Sequence, residues 1–239
     1  MTRFFVTPEE LSCDEICLTG ENAVHAKVLR LKPGEQLLLS DGAGNECICT
    51  VDEGMLLRVV SRQVSSAEAR VQVSVYMAFS KGDKLEHVIQ KATELGAYEI
   101  VAFPSARCVS RPDDKSLAKK LERWQKIAAS AAEQSGRGII PQVITLDSYK
   151  AALERARTAD KAILFYENEK AVTLKMALEE SSYRSVSLLT GPEGGLDERE
   201  VNMAKDMGLS VCTLGSRILR CETAPLCALS AVMYASGEF

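Results

Sequence analysis

The spacing of apolar residues changes near residue 70. Before that point, short apolar runs are separated by turn sequences such as Lys32-Pro33-Gly34-Glu35, which is typical of β-strands joined by tight turns. After it, apolar runs with strand periodicity alternate with stripes at helical spacing. We therefore predict a small β-barrel over residues 1–70, followed by an α/β domain over residues 71–239 with a mostly parallel sheet.

The first segment contains five predicted strands and one predicted helix. The helix covers Glu21 to Leu31, with Val24, Val28 and Leu31 on its apolar face. Residues Val60 to Arg70, which include the polar sequence SSAEAR, are predicted to be a linker. The predicted strands are Arg3–Val6, Cys13–Thr19, Glu35–Ser40, Glu46–Val51 and Met55–Val60.

The second segment opens with a predicted strand, Val71–Phe79, in which every second side chain is apolar. Asp83 and Glu86 have the spacing of a capping box, which predicts a helix that ends near Gly96. The further predicted elements are strands at Glu99–Phe103, Ile140–Ile144, Ala162–Tyr166, Val186–Leu189 and Val211–Leu214, and helices at Ser116–Gln134, Ser148–Ala156, Val172–Glu180, Glu198–Met207 and Ala224–Tyr234.

The charge of the chain is unevenly distributed. The formal net charge is −4; residues 1–70 carry 7 Lys/Arg against 11 Asp/Glu, and residues 104–140 carry 8 against 4. A local basic surface can bind phosphates on an acidic chain, but a solvated helix face gives the same pattern and is favoured on charge alone. The helix at Ser116–Gln134 directs Leu117, Leu121, Trp124, Ile127 and Ala131 inward and Lys119, Lys120, Arg123 and Lys126 outward.

Composition is that of an ordinary globular protein, with 46% hydrophobic and 26% charged residues. The longest apolar run, Ala224–Ala235, is shorter than a membrane span, and the N-terminal residues lack the apolar core of a signal peptide. We therefore expect a cytoplasmic protein.

The eight cysteines form no CxxC pair, and His25 and His87 are not spaced with them as zinc ligands. Cys47 and Cys49 would face the same side of a strand. We interpret the cysteines as reduced, mostly apolar side chains and expect no metal; a regulatory disulfide or a metal site is the alternative.

The sequence LTGPEGGLDEREV, residues 189–201, joins a predicted strand to a helix that Asp197 and Glu200 would cap. In an open α/β sheet, ligands bind beyond the carboxyl ends of the strands, where this loop lies. A phosphate is disfavoured because no P-loop lysine follows, Pro192 has no N–H and Glu193 would repel an anion. S-adenosylmethionine, which carries a sulfonium and no phosphate, suits the loop. A purely structural turn is the alternative.

A second loop, Leu214–Pro225, follows the next predicted strand. Arg217, Arg220 and Glu222 bring three charges within six residues, and Thr223 is predicted as the N-cap of a helix with Pro225 in its first turn. These charges are either surface residues or a polar constellation at the same sheet edge as the glycine loop.

The sequences GPEGG and LGSRILRCETAPLCAL together resemble the C-terminal signature of the RsmE family, SPOUT-class methyltransferases that act on N3 of a uridine in small-subunit (16S) ribosomal RNA. The resemblance covers nearly the whole chain. HAKVLR at residues 25–30, KGDK through ELG at residues 81–96 and EQSGR at residues 133–137 look like further family motifs in the family's order. The chain departs from the pattern at Cys221, where a small polar residue is expected.

The resemblance implies a PUA-like barrel followed by a parallel sheet whose C-terminal part forms a trefoil knot, with S-adenosylmethionine bound in the knot. It also implies ribosomal RNA or the small ribosomal subunit as partner, and a homodimer. The final helix, with Leu226, Leu229, Val232 and Met233, would then contribute to the interface as well as to the core. The implied cofactor-binding residues are Leu189, Gly191, Pro192, Glu193, Gly194, Gly195, Leu214, Gly215, Ile218, Leu219 and Thr223.

The resemblance implies that basic and polar residues of the motifs contact RNA. On physical grounds alone, several of them are interpreted as solvated surface charges. They are His25, Arg30, Lys81, Lys84, Lys119, Arg123, Gln134 and Arg137.

Methylation of N3 requires removal of a proton and stabilisation of the charge left on the base oxygens. Arg220 is predicted to orient or stabilise the uracil, because a guanidinium offers a planar fork of donors. Glu222 either accepts the proton or holds Arg220 in place. The rival functions are another SPOUT RNA methyltransferase, acting on a ribose 2′-hydroxyl or on transfer RNA, and a non-catalytic RNA-binding protein.

Overall fold

The computed structural model of the chain consists of two compact units. It describes residues 1–179 and 182–239, and only the backbone of Asp114. The first unit comprises Met1–Glu68 and Ala132–Ile140, and the second comprises Ala69–Ala131 and Pro141–Phe239. Residues 132–140 therefore group with the N-terminal residues, although their place in the sequence is among the α/β elements.

The first unit is built on a five-stranded sheet with the order β1-β3-β4-β5-β2, in which only β1 and β3 run parallel. Its core contains Phe4, Leu37, Leu39, Cys47 and Cys49, all fully buried. The elements are β1 (Thr2–Phe5), α1 (Pro8–Ser12), β2 (Glu15–Cys17), α2 (Gly20–Leu29), β3 (Gln36–Ser40), β4 (Asn45–Val51) and β5 (Leu56–Val64).

Two expectations for this unit were wrong. The apolar face predicted for α2 is not buried: Val24 is 64% and Val28 72% exposed, and Ala26 is the residue through which the helix packs. The predicted linker is partly strand, because β5 continues to Val64 and pairs with β4 as far as Asn45. Side chains from Val60 to Val64 are mostly exposed, so backbone pairing rather than apolar burial extends this strand.

The cysteines are free thiols, as interpreted from the sequence. Cys47 and Cys49 face the same side of β4, and their Sγ atoms lie 3.6 Å apart in the core. Within the described residues, no group of three or more His, Cys, Asp or Glu side chains could hold a metal ion.

The segment after α4 is fixed in the first unit by Glu68. One carboxylate oxygen of Glu68 accepts hydrogen bonds from the backbone N–H groups of Gly138 and Ile139, at 2.9 and 3.0 Å. The other accepts from the Arg137 guanidinium at 2.8 Å. The Arg137 side chain is 6% exposed, so this ion pair is almost completely removed from water.

The second unit is a six-stranded sheet with the order β11-β9-β10-β6-β7-β8, and each neighbouring pair is parallel. This confirms the predicted α/β class. The elements are β6 (Gln72–Ala78), α3 (Lys84–Glu94), β7 (Glu99–Phe103), α4 (Asp114–Ser135), β8 (Gln142–Thr145), α5 (Tyr149–Ala156), β9 (Lys161–Phe165), α6 (Leu174–Glu179), β10 (Ser185–Thr190), α7 (Glu198–Asp206), β11 (Ser210–Cys212) and α8 (Thr223–Ala235).

Helix bounds in this unit follow the predictions with small differences. The helix predicted at Val172–Glu180 begins at Leu174, and Glu180 lies outside the described residues. The capping box predicted at Asp83 and Glu86 was wrong, because Asp83 has φ −97° and ψ 8° and its side chain makes no cap hydrogen bond. Glu86 instead accepts a hydrogen bond from Arg123 on α4 at 2.6 Å.

The last helix packs on β6 and β10 and against α3. Leu229, Val232 and Met233 are buried in this chain's own core, as expected of them, whereas Tyr234 is 74% exposed. Within the described residues, no helix is long and apolar enough to cross a membrane.

Arg137→Met should lower the free energy of unfolding of the protein by about 3 kcal/mol, because it leaves the Glu68 carboxylate without its cation in a site with little water. Urea denaturation measures the change. The matched control is Lys175→Met, which breaks an exposed pair with Glu179 and should change the free energy by less than about 0.5 kcal/mol. Equal losses in the two variants would contradict the structural role of Arg137.

Candidate active site

A cavity of about 540 Å³ lies at the carboxyl ends of β9, β10 and β11, three adjacent parallel strands. Cavities of roughly 300–1,000 Å³ hold most small-molecule ligands. The loops after these three strands form its walls, together with one side chain from α3. The lining residues are Lys84, Phe165–Glu167, Lys170, Thr190–Leu196, Thr213–Cys221 and Ala224.

Gly195 closes the glycine loop, residues 191–195, and has φ +70°, which favours glycine. Its N–H donates to the carbonyl of Pro192 at 2.9 Å, forming a tight turn. A Cβ at this position would lie 2.4 Å from Oε1 of Glu167, a side chain from the neighbouring loop after β9. The backbone conformation therefore favours glycine here, and a side chain at this position would have to displace the Glu167 carboxylate.

The other two glycines of this loop also lie close to neighbouring residues. A Cβ on Gly191 would lie 2.9 Å from Cγ of Leu196. A Cβ on Gly194 would lie 3.1 Å from Cβ of Arg107, so Arg107 would have to shift to accept a side chain there. All three glycines also line the cavity, where a ligand could approach the backbone closely.

The helix that follows, α7, starts with the predicted capping box. Asp197 accepts a hydrogen bond from the N–H of Arg199, and Glu200 accepts one from the N–H of Asp197, both at 3.0 Å. Glu200 is 8% exposed and also accepts from Ser105 Oγ at 3.1 Å and from the N–H of Ala106 at 2.7 Å. One buried carboxylate thus connects the start of α7 to the loop after β7.

Arg107 extends this connection to the glycine loop. Its guanidinium donates to the carbonyl of Gly194 at 3.4 Å and to the carboxylate of Asp197 at 3.3 Å. Sequence reasoning missed this residue because the loop after β7 contains no glycine and no capping pattern that marks it as part of a site.

Glu193 holds the glycine loop to the start of α3. Its Oε1 accepts hydrogen bonds from the N–H of Lys81 at 2.9 Å and from Nζ of Lys84 at 3.0 Å. Burial favours a higher pKa for Glu193, but hydrogen bonds from its own N–H, Lys81 and Lys84 outweigh burial and lower the pKa. The hydrogen bond to Glu193 in turn raises the pKa of Lys84.

Lys84 also connects the glycine loop to the second loop. Its Nζ lies 3.9 Å from Oε2 of Glu222, which accepts a hydrogen bond from Cys221 Sγ at 3.2 Å. Burial opposes ionisation of Glu222, but its own N–H, Cys221, Lys84 and Arg220 together lower its pKa. Burial and the contact with Glu222 raise the pKa of Cys221 to about 12, so this thiol is a donor and not a nucleophile at neutral pH.

The second loop exposes its arginines at the mouth of the cavity. Arg217 and Arg220 are both exposed, Ile218 is 85% exposed and Leu219 is half-buried. Gly215 has φ +104°, and its N–H donates to Oγ1 of Thr213 at 3.1 Å. Arg217 and Arg220 therefore line the cavity, and their side chains are exposed to solvent at its mouth.

The N-cap predicted at Thr223 was wrong. Helix α8 begins at Thr223 itself, and Glu222 before it has helical dihedral angles and makes no cap hydrogen bond. The N–H groups of Thr223 and Ala224 both donate to the carbonyl of Arg220 at 2.9 Å. This turn replaces the extended conformation that an N-cap residue needs. Pro225 lies in the first turn, as expected.

Most of the predicted cofactor residues line one cavity. Three predicted site residues are not among its described lining residues: Leu189 is fully buried in the sheet core, Thr223 starts α8, and Glu222 lies behind Lys84 and Cys221. Those that do line it are Gly191, Pro192, Glu193, Gly194, Gly195, Leu214, Gly215, Ile218, Leu219 and Arg220.

The expected RNA contacts are distributed over both units. In the first unit, His25, Arg30 and Gln134 are exposed, and Nδ1 of His25 lies 3.4 Å from a carboxylate oxygen of Glu133. Arg137 is buried against Glu68, so contact with RNA would require this ion pair to open. In the second unit, Lys84 lines the cavity, and the exposed side chains are Lys81, Lys119 and Arg123.

Sequence reasoning also missed the third wall of the cavity, residues Phe165, Tyr166, Glu167 and Lys170. The predicted strand at Ala162–Tyr166 ended at the right place. Ligands bind where neighbouring parallel strands end, and this rule identified the glycine loop. The same rule would have made Glu167, which follows this strand, a candidate ligand-binding residue.

The lining fits S-adenosylmethionine. Three glycines allow backbone to approach a ligand closely, and Phe165, Leu214 and Leu219 offer apolar surface for a base. The carboxylate of Glu167 suits a ligand with hydroxyl groups and a positive charge better than it suits a phosphate.

Two family models match the chain. The RNA methyltransferase domain matches residues 67–233, and the RNA methyltransferase PUA domain matches residues 18–54. The parallel sheet with its cavity and the smaller N-terminal unit therefore define an RNA methyltransferase with a PUA-like domain.

Comparison with relatives and solved structures shows to which family of RNA methyltransferases the chain belongs. Ribosomal RNA small subunit methyltransferase E of Bacillus subtilis is 38% identical, over 98% of this chain and 96% of that protein. The crystal structure of the protein of that name from Neisseria gonorrhoeae, bound to S-adenosylmethionine, has a TM-score of 0.84 and 34% identity over 98% of each chain. A putative methyltransferase from Legionella pneumophila in complex with the same cofactor has a TM-score of 0.84 and 28% identity, also over 98% of each chain. The chain belongs to the ribosomal RNA small subunit methyltransferase E family.

Lys84→Met should raise the pKa of both Glu193 and Glu222, because it removes the cation that both carboxylates share. A carboxylate whose pKa is lower in the folded than in the unfolded state stabilises the protein at pH values above its unfolded-state pKa, and this stabilisation is lost as the pH falls. The variant should therefore be less stable than the wild type at neutral pH and differ less from it in acid. Carboxyl ¹³C NMR titration measures the pKa values, and urea denaturation at several pH values measures the stability.

Lys175→Met is the control, because it removes an exposed lysine whose partner is Glu179 on α6. If the pKa values of Glu193 and Glu222 were the same in the wild type and in Lys84→Met, Lys84 would not be the group that holds the two loops together.

Proposed function

We propose that this protein transfers a methyl group from S-adenosylmethionine to N3 of a uridine in small-subunit (16S) ribosomal RNA, and that it acts as a cytoplasmic homodimer. Family membership supports the substrate class. The observation that carries the proposal is the cavity at the carboxyl ends of β9, β10 and β11, which combines a packed glycine loop with an exposed guanidinium at its mouth.

S-adenosylmethionine supplies, when bound, a methyl group made electrophilic by a sulfonium. The glycine loop would bind the cofactor through backbone, because Lys84, Arg107 and Glu200 already fix its shape. Leu214 and Leu219 would exclude water from the cofactor. A loop fixed before ligand binding loses little entropy on binding and places the reacting atoms reproducibly.

Arg220 would stabilise the uracil as N3 loses its proton. Its exposed guanidinium at the cavity mouth can donate two parallel hydrogen bonds to a planar acceptor. These hydrogen bonds become stronger in the transition state, because negative charge develops on a base oxygen there. A contact that is stronger in the transition state than in the bound substrate accelerates the reaction, whereas a contact of equal strength in both does not.

Glu222 would act mainly by positioning. Its lowered pKa keeps it ionised at neutral pH and makes it a weak proton acceptor. The contacts of the Glu222 side chain in the described structure are with Lys84 and Cys221, and the charge of Arg220 also lowers its pKa. Of the two roles considered for Glu222, the lowered pKa disfavours the proton acceptor and leaves the one in which it holds Arg220 in place.

The chain path supports a C-terminal trefoil knot and a dimer as further parts of the proposal. From β11 at one edge of the sheet, the chain passes through the second loop and returns to α8, which packs on β10 and β6. Such a return across the strands is compatible with a threaded path. Exposed Tyr234 and half-buried Leu226 on α8 are the apolar side chains that this helix offers to a second subunit.

The proposal predicts methylation of small-subunit RNA, or of subunits from a strain that lacks this modification, at N3 of a uridine. Mass spectrometry of nuclease fragments locates the methyl group. A methyl group on a ribose 2′-hydroxyl or on transfer RNA would assign the protein to another activity, and failure of calorimetry to detect S-adenosylmethionine binding would favour a non-catalytic RNA-binding protein.

In the same assay, Arg220→Ala should reduce turnover by about 100-fold or more while the dissociation constant for S-adenosylmethionine stays within about threefold. Arg184→Ala, an exposed arginine outside the cavity, is the control. Turnover in Arg220→Ala equal to that of the control would remove Arg220 from the reaction.

RNA affinity should fall as salt rises, and neutralising Lys119, Lys120 and Arg123 together should make the slope of log affinity against log salt shallower by about 2. Arg123 should contribute least, because it is already paired with Glu86. The control removes the same charge elsewhere, from Lys150, Lys175 and Arg184. Equal slopes in the two triple variants would mean that α4 is only a solvated face.

A further inference from the structure

Glu167 differs from the other carboxylates at the cavity because its carboxylate forms no ion pair in the part of the chain that the structure describes. Glu193 and Glu222 both lie beside Lys84. Within the described residues, the carboxylate of Glu167 makes no hydrogen bond or ion pair; only its backbone carbonyl accepts a hydrogen bond, from Lys170 Nζ at 2.8 Å. A lining carboxylate with both oxygens available can accept hydrogen bonds from a ligand.

The glycine loop leaves room for this carboxylate. Oε1 of Glu167 lies where a side chain on residue 195 would begin, 2.4 Å from the position of a Cβ. The loop that would hold the cofactor and the carboxylate therefore meet at one point of the wall, and a ligand bound along the glycine loop would pass next to Glu167.

We propose that Glu167 binds the vicinal hydroxyl groups of the cofactor's ribose; this inference rests on the proposed function. A carboxylate has two acceptor oxygens in one plane, which match two neighbouring O–H donors. An acid near the end of a strand binds ribose hydroxyls in dinucleotide-binding folds by the same chemistry.

The sulfonium is a weaker candidate for the group that Glu167 contacts. A sulfonium has no proton to donate, so Glu167 could attract it only through charge. Glu167 is exposed, and water and salt screen the attraction between exposed charges. This screening would weaken hydrogen bonds to the ribose hydroxyls less than it would weaken an attraction between charges.

Calorimetry on the full chain tests the assignment with two ligands, S-adenosylmethionine and S-adenosylhomocysteine, which share the ribose but differ in the charge on sulfur. Glu167→Ala should raise both dissociation constants by the same factor, about 10- to 100-fold, and Glu167→Gln by less, because the amide keeps one acceptor oxygen. A loss confined to S-adenosylmethionine would overturn the assignment and indicate contact with the sulfonium.

A ligand lacking one hydroxyl provides a direct check. The wild type should bind S-adenosylhomocysteine more tightly than its 2′-deoxy analogue, and Glu167→Ala should bind the two almost equally, because the partner of the missing hydroxyl is gone. The same preference in the wild type and in the variant would overturn the assignment.

Glu154→Gln on α5, an exposed acid paired with Lys150, is the matched control and should bind every ligand as the wild type does. Equal melting temperatures without ligand would show that Glu167→Ala is folded. If the wild type bound neither ligand, the proposed function would fail and this assignment with it. If the wild type bound both and Glu167→Ala bound them equally well, only this assignment would fail.

Discussion

The ion pair between Lys84 and Glu193 is the interaction on which the cavity depends. It joins the start of α3 to the glycine loop, and the same ammonium reaches Glu222 in the second loop. Without this ammonium, the like charges of Glu193 and Glu222 would repel each other. A shared cation between Glu193 and Glu222 removes the need for either loop to move away, so both loops can line one cavity.

The opposite side of the glycine loop is fixed by Arg107 in the loop after β7, and Glu200 connects the same loop to the start of α7. Arg107 donates to Gly194, and Glu200 accepts from Ser105, Ala106 and Asp197. The loop is therefore held from α3 on one side and from β7 on the other before any ligand arrives. Gly194 matters in this arrangement because a Cβ there would lie 3.1 Å from Cβ of Arg107, one of the residues that hold the loop.

Local patterns predicted the elements of the second unit because its central strands are almost completely buried and helices such as α3 bury one apolar face. They failed for α2, where Val24 and Val28 have helical spacing but face solvent. No local pattern indicates that Arg137 pairs with Glu68, 69 residues away. At the site, glycine spacing marked the glycine loop, whereas nothing in the sequence next to Glu167 shows that it meets Gly195.

These contacts also change the physical reason for excluding phosphate from the glycine loop. In the sequence, the charge of Glu193 was the main argument, but in the structure Lys84 compensates that charge. The lack of an N–H on Pro192 still disfavours a phosphate. Beside the loop, the wall formed by Glu167 and Lys170 carries one charge of each sign, and Lys170 Nζ donates to the backbone carbonyl of Glu167 at 2.8 Å. The mouth of the cavity is basic at Arg217 and Arg220, which suits an anionic RNA because the RNA would meet the opposite charge where it binds.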